Sequence, residues 1–205
     1  MASEHSYNRA PALSRPFSIM AKPTGPRCNI DCKYCYYLEK ERLFPDEKKF
    51  RMSDAVLETH IRQTIEASVA AGMREVPFAW QGGEPTLAGL DFFRRAVDLQ
   101  RSFLPAGITA SNAFQTNGIL LNDDWGSFLR DAGFLLGISI DGPRAIHDRY
   151  RRDRAGRGTF DAVMRGVDVL RRAAVEHNVL CTVHRANGGK GREVYRFLRS
   201  EGFDF

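Results

Sequence analysis

The chain has 205 residues, 43% hydrophobic and 27% charged, with a net charge of +5. That length suits one domain able to bury about 70% of its unfolded surface, and the ordinary composition excludes fibrous, low-complexity and disordered classes. No apolar run approaches the ~18 residues of a membrane span, and residues 1–16 lack the apolar core of a secretory signal.

Residues 1–16 read as a flexible tail, followed by a core domain over 17–205. Phe17–Met20 predicts a first strand, running into a loop that begins with the helix-hostile Pro23-Thr24-Gly25-Pro26. Ser53 caps a helix whose Leu57, Ile61, Ile65 and Val69 recur every four residues, ending at Gly72. Val76–Trp80 is a second strand, stopped by Gly82-Gly83. Leu90, Phe93, Val97 and Leu104 mark a second helix, and Ile108–Phe114 a third strand. Asn122 caps a third helix, with Asp123 and Asp124 favourable to its dipole. The apolar run Phe134–Ile140 predicts a buried parallel strand. Thr159 starts a helix with Val163, Val167, Leu170 and Ala174 inward. Val179–Val183 is a fifth strand, Glu193–Ser200 a fifth helix closed by Gly202, and Phe203-Asp204-Phe205 the beginning of a sixth strand. Strand and helix alternate throughout, which gives an α/β architecture with a parallel sheet.

Within the first loop, Cys28, Cys32 and Cys35 stand at spacing C-x3-C-x2-C. Three thiolates on one segment can bind three irons of a cubane and leave the fourth open to an outside chelator. Positions i, i+4 and i+7 also share a helix face, so the same residues could be buried small apolar groups. They could also hold zinc as Cys₃His with His5, His60 or His184 as fourth ligand. The cysteine count and the aromatics around Cys35 favour the cluster. Four cysteines without a signal place the chain in a reducing cytoplasm.

The cysteine loop and the segments Gly82-Gly83-Glu84-Pro85, Gln115–Gly118 and Ser139–Pro143 each follow a predicted strand. All therefore sit at the carboxyl ends, the face that carries the chemistry in barrel-like α/β proteins. Glycine there exposes backbone to a ligand, while Glu84 orders the loop. Asp141 heads a turn, and His147 caps or packs beneath it. Cys181, mid-strand, stays outside the cluster. The arginines at 149, 151, 152, 154 and 157 form a basic segment; with Asp148 and Asp153 interspersed and only Tyr150 to stack, it reads as a loop with one functional arginine rather than a nucleic-acid patch.

These residues resemble the radical S-adenosylmethionine (radical SAM) enzymes, through Cys28-x3-Cys32-Lys33-Tyr34-Cys35. The ordered set of Gln81–Leu87, Gln115-Thr116-Asn117-Gly118, Ser139–Pro143, Ile146-His147-Asp148 and Gly158-Thr159-Phe160 is similar to the anaerobic sulfatase-maturating branch. The resemblance implies a partial (β/α)₆ TIM-like barrel, truncated at about the start of strand 6, with the cysteine-rich SPASM domain of that branch missing. It implies that Cys28, Cys32 and Cys35 hold a [4Fe–4S] cluster and that S-adenosylmethionine chelates the open iron. One electron would cleave that cofactor to a 5′-deoxyadenosyl radical, which abstracts hydrogen from substrate. By the same resemblance Gly83 meets the cofactor's ammonium, Arg151 its carboxylate in bidentate fashion, Ser139 its ribose region, and the backbone of Tyr34 its adenine. The implied partners are a sulfatase peptide, whose Cys or Ser becomes formylglycine, and an electron donor such as flavodoxin or ferredoxin, with no membrane or nucleic acid. The alternatives are a radical SAM maturase of another ribosomal peptide and a zinc-stabilised binding module.

Overall fold

A computed structural model describes residues 17–37, 39–44, 46 and 50–203. Its five strands are β1 (Ile19–Ala21), β2 (Glu75–Trp80), β3 (Thr109–Thr116), β4 (Phe134–Ser139) and β5 (His177–Leu180). They form one parallel sheet in the order β1-β2-β3-β4-β5. Helices link the strands: α1 (Asp54–Ala70), α2 (Leu90–Phe103), α3 (Asp123–Asp131), α4 (Arg144–Tyr150) with α5 (Phe160–Arg172), and α6 (Gly191–Ser200) after the last strand. Successive parallel strands need such crossovers, and register follows directly, with Phe78 beside Asn112 and Asn112 beside Phe134.

The core lies between the sheet and its helices. Phe78, Trp80, Phe92, Phe93, Phe114 and Phe134 are nearly inaccessible and meet largely edge-on, as ring quadrupoles prefer. One polar group in this layer is fully answered. Asn112 of β3 accepts from Trp80 Nε1 at 2.9 Å and exchanges two bonds with Gln100 of α2, which pins that helix to the sheet. The predicted caps form: Ser53 accepts from Val56 N and Asn122 from Trp125 N, each worth about 1 kcal/mol.

Several expectations shift. On α1 the buried residues are Leu57, Ile61, Thr64, Ile65 and Ser68, while Val69 is exposed. Steps of four overshoot a 3.6-residue turn by about 40° each, so three steps from Leu57 carry Val69 off the buried face. Ala174 likewise falls beyond α5, exposed and with φ of 54°. Helix α4 replaces an expected loop. Strand β5 ends at Leu180, so Cys181 follows the strand instead of lying within it. Leu135 of β4 is exposed, because the sheet face it points from borders an open cavity flanked by Met20, Gln81, Gln115 and Leu180. Phe203 is buried but not in a strand; the tail, His5, Asp204 and Phe205 lie outside the described residues. No described helix is long and apolar enough to cross a membrane.

Candidate functional site

The cysteine loop leaves β1 and is gripped from both sides. On one side residues 150–154 lie along it: Asp31 N donates to Arg152 O at 2.8 Å, Lys33 N to Tyr150 O at 3.0 Å, and Ile30 bridges Asp153 antiparallel. Arg154 adds a charge-assisted bond to Cys28 O at 2.7 Å. On the other side Gly83 N donates to Gly25 O at 2.8 Å, Glu84 N to Arg27 O at 2.9 Å, and Thr24 Oγ1 to Glu84 O at 3.1 Å.

This pairing changes the reason for the glycine at 83. A Cβ there would lie 2.1 Å from Arg27 O and 2.5 Å from Pro26 O. The missing side chain is demanded by the cysteine loop's own backbone, not by ligand approach alone. Gly82, at φ of 131°, similarly faces Gly25 O.

Glu84 orders the loop, as its position in the sequence suggested, and the structure shows how. Its fully buried carboxylate accepts from Thr86 N and Oγ1, Thr116 Oγ1 and Asn117 N at 2.6–3.0 Å. Burial pushes its pKa above the ordinary carboxylate range, and these donors pull against that rise. Asn117, so held, turns its side-chain Nδ2 toward Asn29 Oδ1 at 2.7 Å and Cys28 Sγ at 3.8 Å.

A second buried hub joins β4 to the cysteine loop. The Asp141 carboxylate, wholly inaccessible, faces Arg151 Nε at 3.0 Å and accepts from Arg151 Nη2 at 3.2 Å, Tyr34 OH at 2.6 Å and Thr182 N at 3.0 Å. Burial alone would raise its pKa; the Arg151 guanidinium and the Tyr34 hydroxyl outweigh that and hold it below the usual range. Arg151, 7% exposed, is held above its ordinary pKa because the Asp141 charge overcomes the desolvation that would lower it. Burial, with the neighbouring carboxylate, likewise raises the Tyr34 hydroxyl. Thus Asp141 does more than head a turn. It occupies the Nε–Nη2 edge of Arg151, so that edge is unavailable for a bidentate grip on a ligand, and Nη1 points instead at Cys32 Sγ, 3.9 Å away.

His184 stacks on Tyr34 with ring centroids 5.3 Å apart, accepts at Nδ1 from Ala186 N, and brings Nε2 to 3.4 Å from Asp141 Oδ2. His147 sits beneath the same loop. Its Nδ1 accepts from Asp141 N, its Nε2 pairs with Thr159 Oγ1, and that hydroxyl donates to Arg151 O. A neutral ring protonated at Nε2 satisfies the whole chain of bonds. Burial, reinforced by the Arg151 cation, lowers its pKa to about 4.

All seven residues singled out from the sequence border one cavity of about 290 Å³: Cys28, Cys32 and Cys35, with Tyr34, Gly83, Ser139 and Arg151. Cys181 is not among its lining. Burial raises the Cys28 thiol to about 12 and that of Cys32 to about 11, so a cationic centre binding them displaces protons. Among the described residues no three His, Cys, Asp or Glu side chains converge to ligate one ion; a cubane sets no such requirement, since each thiolate takes its own iron. Of the imidazoles considered for zinc, His60 packs edge-on against Phe78 and Trp80, and His184 is engaged as described. The basic segment is largely spent internally, Arg151 on Asp141, Arg152 on Gly156 O, Arg154 on Cys28 O and Arg157 on Asp153.

The sequence matches the model of the Radical SAM superfamily over residues 23–198. It is 46% identical over 187 residues to the serine-type anaerobic sulfatase-maturating enzyme of Klebsiella aerogenes, covering 91% of this chain and 45% of that protein. It is 35% identical over 194 residues to the cysteine-type enzyme of Clostridium perfringens, covering 93% of this chain and 50% of that protein. The solved structure of native anSMEcpe with bound AdoMet and Cp18Cys peptide superposes with a TM-score of 0.83 at 35% identity, covering 93% of this chain and 50% of that one. The chain therefore spans about half the length of the relatives it matches.

Proposed function

Because the chain belongs to the radical SAM superfamily, we propose that it is the cofactor-cleaving core of an anaerobic sulfatase-maturating enzyme, oxidising a serine or cysteine of a sulfatase peptide to formylglycine. The observation that carries this reading is the single cavity bordered by three cysteines on one wall and by Gly83, Ser139 and Arg151 on the others. Similarity to both serine- and cysteine-type enzymes supports the substrate class.

The residues present fit the two groups the family uses. Three thiols on one loop would hold the [4Fe–4S] cluster through Cys28, Cys32 and Cys35. The loop at Gly83, with Ser139, Arg151 and the backbone of Tyr34, would hold S-adenosylmethionine, whose amino and carboxylate groups need an acceptor and a cation. When bound, the cluster and cofactor together supply one-electron chemistry that no side chain here can provide. The chain's contribution is position and charge. Arg151 offers one edge to the cavity while Asp141 fixes the other, so its cation is oriented before any ligand arrives. The Tyr34 hydroxyl is committed to Asp141 and its ring to His184 and Arg151, which leaves its backbone for the ligand. We assign residues 17–205 to this core, an electron carrier of the flavodoxin or ferredoxin kind as its reductant, and the cytoplasm as its compartment.

The test is anaerobic reconstitution with iron and sulfide. The chain should develop an iron–sulfur absorption spectrum that is lost in Cys28→Ala, Cys32→Ala and Cys35→Ala and kept in Cys181→Ala. A spectrum retained in Cys35→Ala and lost in Cys181→Ala refutes the ligand assignment.

A further inference from the structure

We propose that Asn117 sets the reduction potential of the cluster by donating a hydrogen bond from its side-chain amide to the sulfur of Cys28, an inference that rests on the cluster reading above. Asn117 follows the carboxyl end of β3 and is 6% exposed. Its backbone N–H is held by Glu84 Oε2 at 2.8 Å, and Glu84 is itself held by Thr86 and Thr116. Its Oδ1 accepts from Ile119 N at 3.1 Å, so only Nδ2 faces the cysteine loop. There it meets Asn29 Oδ1 at 2.7 Å and Cys28 Sγ at 3.8 Å. Turning the amide over would set oxygen against Asn29 Oδ1 and an NH₂ against the Ile119 N–H, so the donor orientation is fixed by its partners.

A cysteine ligand gains negative charge when its cluster is reduced. A hydrogen bond to that sulfur therefore stabilises the reduced state more than the oxidised one and raises the potential. Asn117 is 6% exposed in the cavity wall, so the dipole acts in a medium that screens it less than bulk water does. Cys32 has a charged donor in Arg151 Nη1; Asn117 is its neutral counterpart on Cys28. Asn117 is thus a positioning residue that acts through the ligand, latched to it by the same carboxylate that ties the β2 and β3 loops together.

The experiment is a potentiometric titration of the reconstituted chain, followed by electron paramagnetic resonance, in wild type, Asn117→Leu and Asn117→Asp. Both variants should carry wild-type iron and sulfide and shift the midpoint to more negative values, Asn117→Asp furthest because a carboxylate replaces the donor. Resonance Raman spectra in H₂O and D₂O supply a second readout. The wild-type Fe–S(Cys) stretches should move on exchange, and part of that movement should vanish in Asn117→Leu. Asn117→Ser, with a hydroxyl too short to reach Cys28, takes the place of the leucine variant if that one does not fold. A loaded variant that keeps the wild-type midpoint, or a wild-type spectrum insensitive to D₂O, overturns the proposal. A wild-type chain that takes up no cluster refutes the cluster reading instead.

Discussion

Replacing Asp141 by Leu strands the Arg151 cation. The pair is buried on both sides, Asp141 fully and Arg151 at 7% exposure, with contacts of 3.0 and 3.2 Å. Removing one member of such a pair costs about 3–5 kcal/mol, because the survivor keeps its desolvation penalty without its partner. The Tyr34 hydroxyl and Thr182 N–H lose their acceptor as well. Against a total stability of about 5–15 kcal/mol for a domain, this is a large fraction. With a urea slope of about 2 kcal/mol/M, the midpoint should fall by about 2 M, read by circular dichroism at pH 7. The Asp141→Leu/Arg151→Met double variant should recover most of that loss, since apolar replacement of a whole buried pair is often neutral. The sign with pH follows from the depressed Asp141 pKa: the pair contributes fully above the unfolded carboxyl value and is lost as pH falls through the folded one. A single variant within about 1 kcal/mol of wild type, or a double variant no better than the single, refutes the reasoning.

Two further outcomes are expected. His147 has a folded pKa of about 4 against 6.5 unfolded, so its contribution is present above pH 6.5 and lost as pH falls toward 4, by up to about 3 kcal/mol. Arg151, Asp141 and Asp148 face it throughout. Chemical denaturation from pH 7 to 4 should show wild type losing about that much relative to His147→Gln, and a constant difference contradicts it. Gly83→Ala should cost about 2–4 kcal/mol, because the new methyl meets Arg27 O at 2.1 Å and opens the pairing with Gly25 and Arg27. Gly191→Ala, with open space around it at the start of α6, should be neutral or slightly stabilising in urea denaturation of both variants, and equal losses in the two would contradict the steric account.

Much of the site was legible because strand–helix alternation fixes which loops share an end of the sheet. The cysteine triad, Gly83 and Ser139 lie at the carboxyl ends of three separate strands, and the strand reading placed those ends together; Arg151 was singled out only through the family resemblance. What was not legible is pairing across long separations. Tyr34 and Asp141 are 107 positions apart and Asn117 and Cys28 are 89 apart, and no local pattern says that they meet. Asp141 therefore looked like a turn residue, and His184 like a zinc candidate. Asn117 stood in a motif without a role. The helix faces failed where a strict four-residue step was carried too far, at Val69, and where Ala174 fell past the helix end.

The ribbon formed by residues 150–154 against the cysteine loop has a consequence for the order of events during synthesis. The three cysteines leave the ribosome early, but their backbone partners, Tyr150 and Arg152, emerge roughly 120 residues later. At about 5–20 residues per second the nascent thiols spend about 6–24 s without the neighbours that shape their loop. Ordering of the cysteine-bearing wall is thus a late step, coupled to arrival of the α4–α5 connection. The same interval is when oxidation or stray metal capture is most able to divert these thiols. An N-terminal fragment ending before residue 150 keeps every cysteine of the triad and lacks the segment whose backbone pairs with their loop.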